Sequence, residues 1–195
     1  MLRYHGDTMV KETEPAGPRY SLWLMPDGEE RRQFADIITR LSERFGTPTF
    51  EPHVTLLGGL HGGERDIVKR ISEIVRSMRP IEIRTSTLHS QEDYFRQFFV
   101  QVEKSRQLME TRGRVKVLAG GRRERPYSPH ISFMYGSVPY QDRETLLMEM
   151  GGELTSVFET KTLHVVDTAG TPERWRQVGA FTLPERRLMR KKAAS

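Results

Sequence analysis

Residues 51–59, EPHVTLLGG, and residues 128–136, SPHISFMYG, are two versions of one pattern. Each runs proline, histidine, an apolar residue, a hydroxyl residue and a further apolar stretch closed by glycine. Side chains alternate faces along a strand. His53 and Thr55 therefore point one way while Val54 and Leu56 point the other. His130 with Ser132, and Ile131 with Phe133, repeat that arrangement. Each strand presents a histidine and a hydroxyl on one face and core residues on the opposite face.

The repetition extends outward from the two histidines. Tyr20 opens the apolar run YSLWL, between Pro18 and Pro26, 33 residues before His53. Phe98 opens FFVQV 32 residues before His130. After Tyr20–Leu24, Asp27 with Glu30 three residues on reads as a capping box. Phe34, Ile37, Ile38, Leu41 and Phe45 follow at helical spacing until Gly46 ends the helix. Ile67, Ile71, Ile74, Val75 and Met78 predict a second helix stopped by Pro80, and Ile81–Leu88 alternates as a half-buried strand does. Leu108, Met109, Val115 and Leu118 predict a third helix, weakened by Gly113, and a fourth runs near Asp142–Met150. Strands follow at about Val157–Val166 and Arg176–Leu183. A strand–helix–strand unit thus occurs twice. Two such units close into two lobes of mixed α+β structure around a central groove. Residues 1–18 read as a flexible leader, 19–184 as the single bilobal domain and 185–195 as a basic tail.

Composition narrows the chemistry. The chain has 195 residues, 9 Phe, 6 Tyr and 2 Trp, enough material for a core, and no apolar run of the roughly 20 residues that a membrane helix needs. There is no cysteine, which excludes disulfides, thiolate metal sites and thiol nucleophiles. The 31 Lys+Arg against 26 Asp+Glu leave a formal charge of +5 with arginine predominant, suited to anionic and especially phosphorylated ligands. No targeting signal stands out, so a cytoplasmic location is expected, with the nucleus as the alternative.

Two imidazoles and two hydroxyls on groove-facing strands suit a restricted chemistry. Histidine titrates near pH 6.5, so one ring can take a proton from water while the other gives one to a leaving alkoxide. Thr55 and Ser132 can hydrogen-bond the non-bridging phosphoryl oxygens, where transition-state charge spreads. That combination fits phosphodiester cleavage without a metal. His53, His61, His89, His130 and His164 match no metal-ligand spacing, and no G-x-S-x-G accompanies the serines. Metal and cofactors are therefore expected to be absent.

On these residues the chain resembles the two-histidine (2H) phosphoesterases, a superfamily with two copies of His-x-Thr/Ser in a duplicated bilobal fold of two antiparallel-sheet lobes with outer helices. The stretches YSLWLMP, PHISFMYG and ERWRQVGAFTL make it most similar to the cyclic phosphodiesterases, from about Tyr20 to Leu183. The resemblance implies His53 and His130 as the catalytic pair, and Thr55, Ser132 and Tyr135 as substrate contacts. It implies hydrolysis of 2′,3′-cyclic nucleotides or ADP-ribose 1″,2″-cyclic phosphate to phosphomonoesters. Tyr135 lies an odd number of residues after His130, so the strand must twist or end, beside Gly136, for the phenol to reach the groove. RNA-end processing within the same superfamily, and a non-catalytic nucleotide-binding module, are the competing readings. A monomer acting on a small nucleotide-like cyclic phosphate, with RNA ends as the other partner class and no membrane, is expected. Trp23 and Phe99 are assigned to core packing ahead of stacking on a base, Tyr127 to the groove lining or to anchoring its loop, and His61, His89 and His164 to structural or surface roles. The cations Arg112, Arg114, Lys116, Arg122, Arg123 and Arg125 form either the groove's mouth or a solvated helix end and loop.

Overall fold

The strands form where alternating apolar residues can bury one face, and the helices where apolar residues recur at three and four. In a computed structural model, which describes residues 19–120 and 126–185, these segments run in a fixed order. They are β1 (Arg19–Leu24), α1 (Gly28–Phe45), β2 (Val54–His61), α2 (Glu64–Val75), β3 (Ile81–His89) and β4 (Phe98–Val102). Then come α3 (Arg106–Ala119), β5 (His130–Met134), α4 (Tyr140–Glu149), β6 (Val157–Thr160), β7 (Thr162–Asp167) and β8 (Arg176–Thr182). The leader, the tail beyond Glu185, and Arg122, Arg123 and Arg125 lie outside the described residues.

The strands make one eight-stranded antiparallel sheet in the order β6-β3-β4-β5-β2-β1-β7-β8. Its two four-stranded halves meet at the centre, where β5 and β2 pair with Val54 opposite Ile131. The order reads the same from both edges if β1 is matched with β4 and β2 with β5, so the doubled sequence unit becomes an approximate two-fold. Both central strands carry the same irregularity. Trp23 pairs with Thr55 but Leu22 with Leu57, and Phe99 pairs with Ser132 but Phe98 with Met134. Leu56 and Phe133 are thus the extra residues of two matched β-bulges, each one residue past the hydroxyl. The bulge buries Leu56 and Leu57 together. In β5 it reverses the side-chain parity, which brings Tyr135 to the face of His130 and Ser132.

The helices do not stay with the unit that encodes them. α1 packs on β5, setting Phe34 against Phe133 (ring centroids 5.6 Å apart) and Phe158 (6.0 Å) of the other half. α3 packs on β2, β3 and α2, and α2 lies against β7 and β8. The stretch expected as one strand from Val157 to Val166 is two: β6 pairs with β3 at one sheet edge and β7 with β1 in the other half. Asp27 sits at the N-cap of α1 in extended conformation, but its side chain makes no capping bond, so the expected capping box is not formed. Gly46 ends α1 at φ 63°, a left-handed conformation that favours glycine. Gly113 does not interrupt α3. Among the described residues no helix is long and apolar enough to cross a membrane.

Candidate functional site

The antiparallel pairing of Val54 with Ile131 sends both of those side chains into the core. It sets His53 beside Ser132, and Thr55 beside His130, on the opposite face. The four residues, with Tyr135, line one groove-like cavity of about 670 Å³. The two histidines are held alike. The Nδ1 of His53 lies 2.6 Å from the Glu51 carbonyl, and the Nδ1 of His130 lies 2.7 Å from the Ser128 carbonyl. A carbonyl only accepts, so Nδ1–H donates in each, and each neutral ring turns an unprotonated Nε2 away from that carbonyl. The Pro52 and Pro129 that precede the histidines favour the extended backbone that places each carbonyl two residues back under its ring.

Aromatic rings fix the imidazoles from the neighbouring strands. Trp23 of β1 stacks on His53 with centroids 3.6 Å apart and planes 8° from parallel. Phe99 of β4 meets His130 edge-on at 5.1 Å. Both are buried, at 5% and 2% exposure, in keeping with core packing, and their rings also pack on the histidines. Burial is also the first cause of the histidines' acidity. It lowers the His53 pKa to about 4, against the opposing bond to Glu51, with the like charge of His130 lowering it further. His130 is lowered mainly by burial too, with Ser128 opposing it; nearby Arg96 lowers it and Asp93 raises it.

The hydroxyls form the floor. Ser132 Oγ donates to the Phe95 carbonyl at 2.7 Å, and the Tyr135 phenol lines the same cavity. Burial raises the pKa of that phenol, so it stays protonated as a donor. Tyr135 stacks on Phe50 at 3.6 Å and meets Phe95 and Trp175 at 5.3 and 5.9 Å, an aromatic wall at one end of the groove. The position that matches Tyr135 in the first repeat is Gly58. A Cβ there would come 3.5 Å from Ser21 Oγ and 3.8 Å from Thr55 Cγ2, so the first repeat has no ring at this position. Arg19, Ser21, Gly59, Thr168 and Gly170 also line the cavity.

Several lining residues were not singled out by sequence reasoning: Arg19, Ser21, Asp93, Phe95, Arg96, Thr168 and Trp175. Arg19 and Ser21 had a signal, since they alternate with the buried Tyr20 and Leu22 on the face of Trp23. Phe95, Arg96 and Trp175 come from connecting segments, where no periodicity marks a facing direction. Asp93 and Arg96 pair at 3.0 Å. The arginines of α3 are not at the groove. Arg112 lies over the Tyr127 ring, Arg114 reaches the Ser77 carbonyl, and neither they nor Lys116 line the cavity. Tyr127 anchors its loop, donating to the Thr55 carbonyl at 3.1 Å. His61, His89 and His164 are outside the cavity, with His89 bonded to Thr87 and His164 to Gln177. No group of three or more His, Asp or Glu side chains is arranged to hold a metal ion among the described residues.

A curled antiparallel sheet whose two halves meet along paired His-x-Thr/Ser strands is the two-histidine phosphoesterase fold. The sequence profile described as "Cyclic phosphodiesterase-like protein" matches residues 19–183, and the chain belongs to that family. It is 22% identical over 125 residues to "Cyclic phosphodiesterase" of Arabidopsis thaliana, covering 64% of this chain and 69% of that one. Among solved structures it is similar to TT0787 of Thermus thermophilus, with a TM-score of 0.62 and 15% identity over 86% of this chain and 98% of that one. It also resembles E. coli LigT in complex with 3′-AMP, at TM-score 0.56 and 13% identity over 86% and 99% of the two chains. At those identities the structures establish the shared fold.

Proposed function

We propose that this chain hydrolyses nucleotide-type cyclic phosphodiesters, 2′,3′-cyclic nucleotides or ADP-ribose 1″,2″-cyclic phosphate, by acid–base catalysis between His53 and His130. One observation carries the reading: two histidines, each with Nδ1 tied to the carbonyl two residues back, beside two hydroxyls on one groove face. The named activity of the Arabidopsis relative and the 3′-AMP held by LigT support the substrate class.

The phosphoryl group sits between Thr55 and Ser132, whose hydroxyls donate to its non-bridging oxygens. Its arrival competes with the Phe95 carbonyl for the Ser132 proton, and Tyr135 supplies a further donor. Water attacks phosphorus as one imidazole Nε2 takes its proton. The opposite P–O ester bond of the ring breaks, and its oxygen takes a proton from the other imidazolium. Atoms and charge balance, with the extra proton exchanged between the rings over a cycle. The difference in burial supports one assignment of the two roles. His53, lowered to about 4, is the poorer holder of a proton and serves as base, while the less buried His130 carries the proton and serves as acid.

The deciding assay offers 2′,3′-cyclic AMP, ADP-ribose cyclic phosphate and an oligonucleotide ending in a cyclic phosphate, with and without EDTA. Turnover unaffected by EDTA is expected for the first two. Failure on all three rejects the reading; preference for the oligonucleotide redirects it to RNA ends; loss with EDTA rejects the metal-free route. His53→Ala and His130→Ala are each expected to lower kcat about 10²–10⁴-fold with the fold intact.

A further inference from the structure

Arg143 on α4 is 5% exposed, the buried arginine among the described residues, and its hydrogen bonds go to neutral groups. Its Nη1 donates to the Gln91 carbonyl at 2.8 Å and to Gln97 Oε1 at 3.1 Å, while its Nε has no hydrogen-bond partner. Burying a guanidinium against neutral acceptors is costly, and a packed apolar residue would fill the space at less cost. What the charge organises is the segment from Gln91 to Gln97. Gln97, itself 3% exposed, accepts from the Val138 amide through the same Oε1 and donates through Nε2 to the Asp93 carbonyl. Within the segment the Gln91 amide donates to Arg96 and the Arg96 amide to Asp93, so the loop is closed on itself and clasped from beneath.

The upper side of this loop is the groove. Its Phe95 carbonyl receives the Ser132 hydroxyl, its Tyr94 carbonyl receives the Gly136 amide directly behind Tyr135, and Asp93 and Arg96 face the cavity near His130. We infer that Arg143, acting with Gln97, is a positioning residue. It sets the height of the Phe95 carbonyl, and thereby the orientation of the Ser132 hydroxyl, without touching substrate. The inference rests on the reading of Ser132 as a phosphate contact.

Arg143→Met removes the donors and keeps the apolar stem. On 2′,3′-cyclic AMP it is expected to lower kcat about 10- to 100-fold, the scale of a small misplacement of reacting groups, with KM changing less. Arg143→Lys recovers part of the loss, since an ammonium can serve one of the two acceptors. In a Ser132→Ala background, Arg143→Met is expected to cost less than about threefold, because the group it orients is gone. Val115→Ala, a core truncation on α3, supplies the comparison: a similar fall in Tm with kcat unchanged. Full kcat in Arg143→Met, or equal losses with Ser132 present and in the Ser132→Ala background, overturns the proposal. If Arg143→Met does not fold, Gln97→Met carries the same measurements. If the wild-type protein turns over no cyclic nucleotide, the functional reading has failed and amide hydrogen exchange decides the positioning. Faster exchange at Arg96 and Gly136 in Arg143→Met than in Val115→Ala then supports it, and equal rates overturn it.

Discussion

At the scale of single residues, the groove is organised by what lies behind each histidine. Glu51 and Ser128 meet the histidines through their carbonyls, while their side chains bond elsewhere, to Arg31 and Gln101. Trp23 contributes a face. Its stacked indole removes water from one side of His53, and desolvation is the largest cause of the pKa of about 4. Trp23→Leu opens that side. The His53 pKa is expected to rise from about 4 toward 6.5, and kcat to fall about tenfold as the ring loses its alignment. Titrating the His53 ring protons by NMR checks the first expectation and steady-state kinetics the second; an unchanged pKa would remove the indole from this account. The histidines and hydroxyls were legible because two short motifs repeat with their flanks. The role of Trp23 was not, since an apolar strand residue gives the same signal whether its ring meets a leucine or an imidazole.

At the scale of elements, most of the strands and helices followed from pattern, and the departures share one cause: pairing across the two halves. Periodicity reports that α1 has one apolar face but not which half of the sheet receives it. Phe34, fully buried, lands on Phe133 and Phe158 of the opposite half. Phe34→Ala is therefore expected to cost about 3–5 kcal/mol in urea unfolding, as a large core truncation does. It should also lower the urea midpoint for both halves together, read separately from the fluorescence of Trp23 and Trp175 and from circular dichroism of the helices. Two separate midpoints would show that the halves unfold independently. Likewise, Val157–Val166 reads as one apolar stretch, yet it divides at Lys161 to serve β3 on one side and β1 on the other. The matched bulges at Leu56 and Phe133 lay beyond a simple period-two reading, because an inserted residue shows only against its partner strand. The bulge in β5 is what turns Tyr135 to the groove, a more specific device than a strand ending at Gly136.

At the scale of the whole molecule, two desolvated imidazoles in one groove link folding to pH. In the unfolded chain each histidine titrates near 6.5; in the folded chain His53 titrates at about 4 and His130 is also lowered. Between those values the unfolded state binds more protons, so stability rises with pH. The contribution is fully present above pH 6.5 and is lost as the pH falls toward 4. For His53 alone the fall from 6.5 to about 4 is worth roughly 3 kcal/mol. Thermal melts of the wild-type protein are thus expected to drop steeply from pH 7 to pH 4. The His53→Asn variant, lacking the titrating ring, should show a shallower slope over the same window. On the proposed mechanism the same two groups would govern catalysis with a different sign for each. Loss of the proton from His130 is then expected to lower the rate as pH rises, and gain of one by His53 to lower it as pH falls. Because both rings are depressed in the free protein, both limbs of kcat/KM are expected below the ordinary histidine value of about 6.5. A basic limb well above 7 would mean that the group carrying the acid's proton is neither depressed imidazole, and the assignment of roles drawn from burial would have to be abandoned.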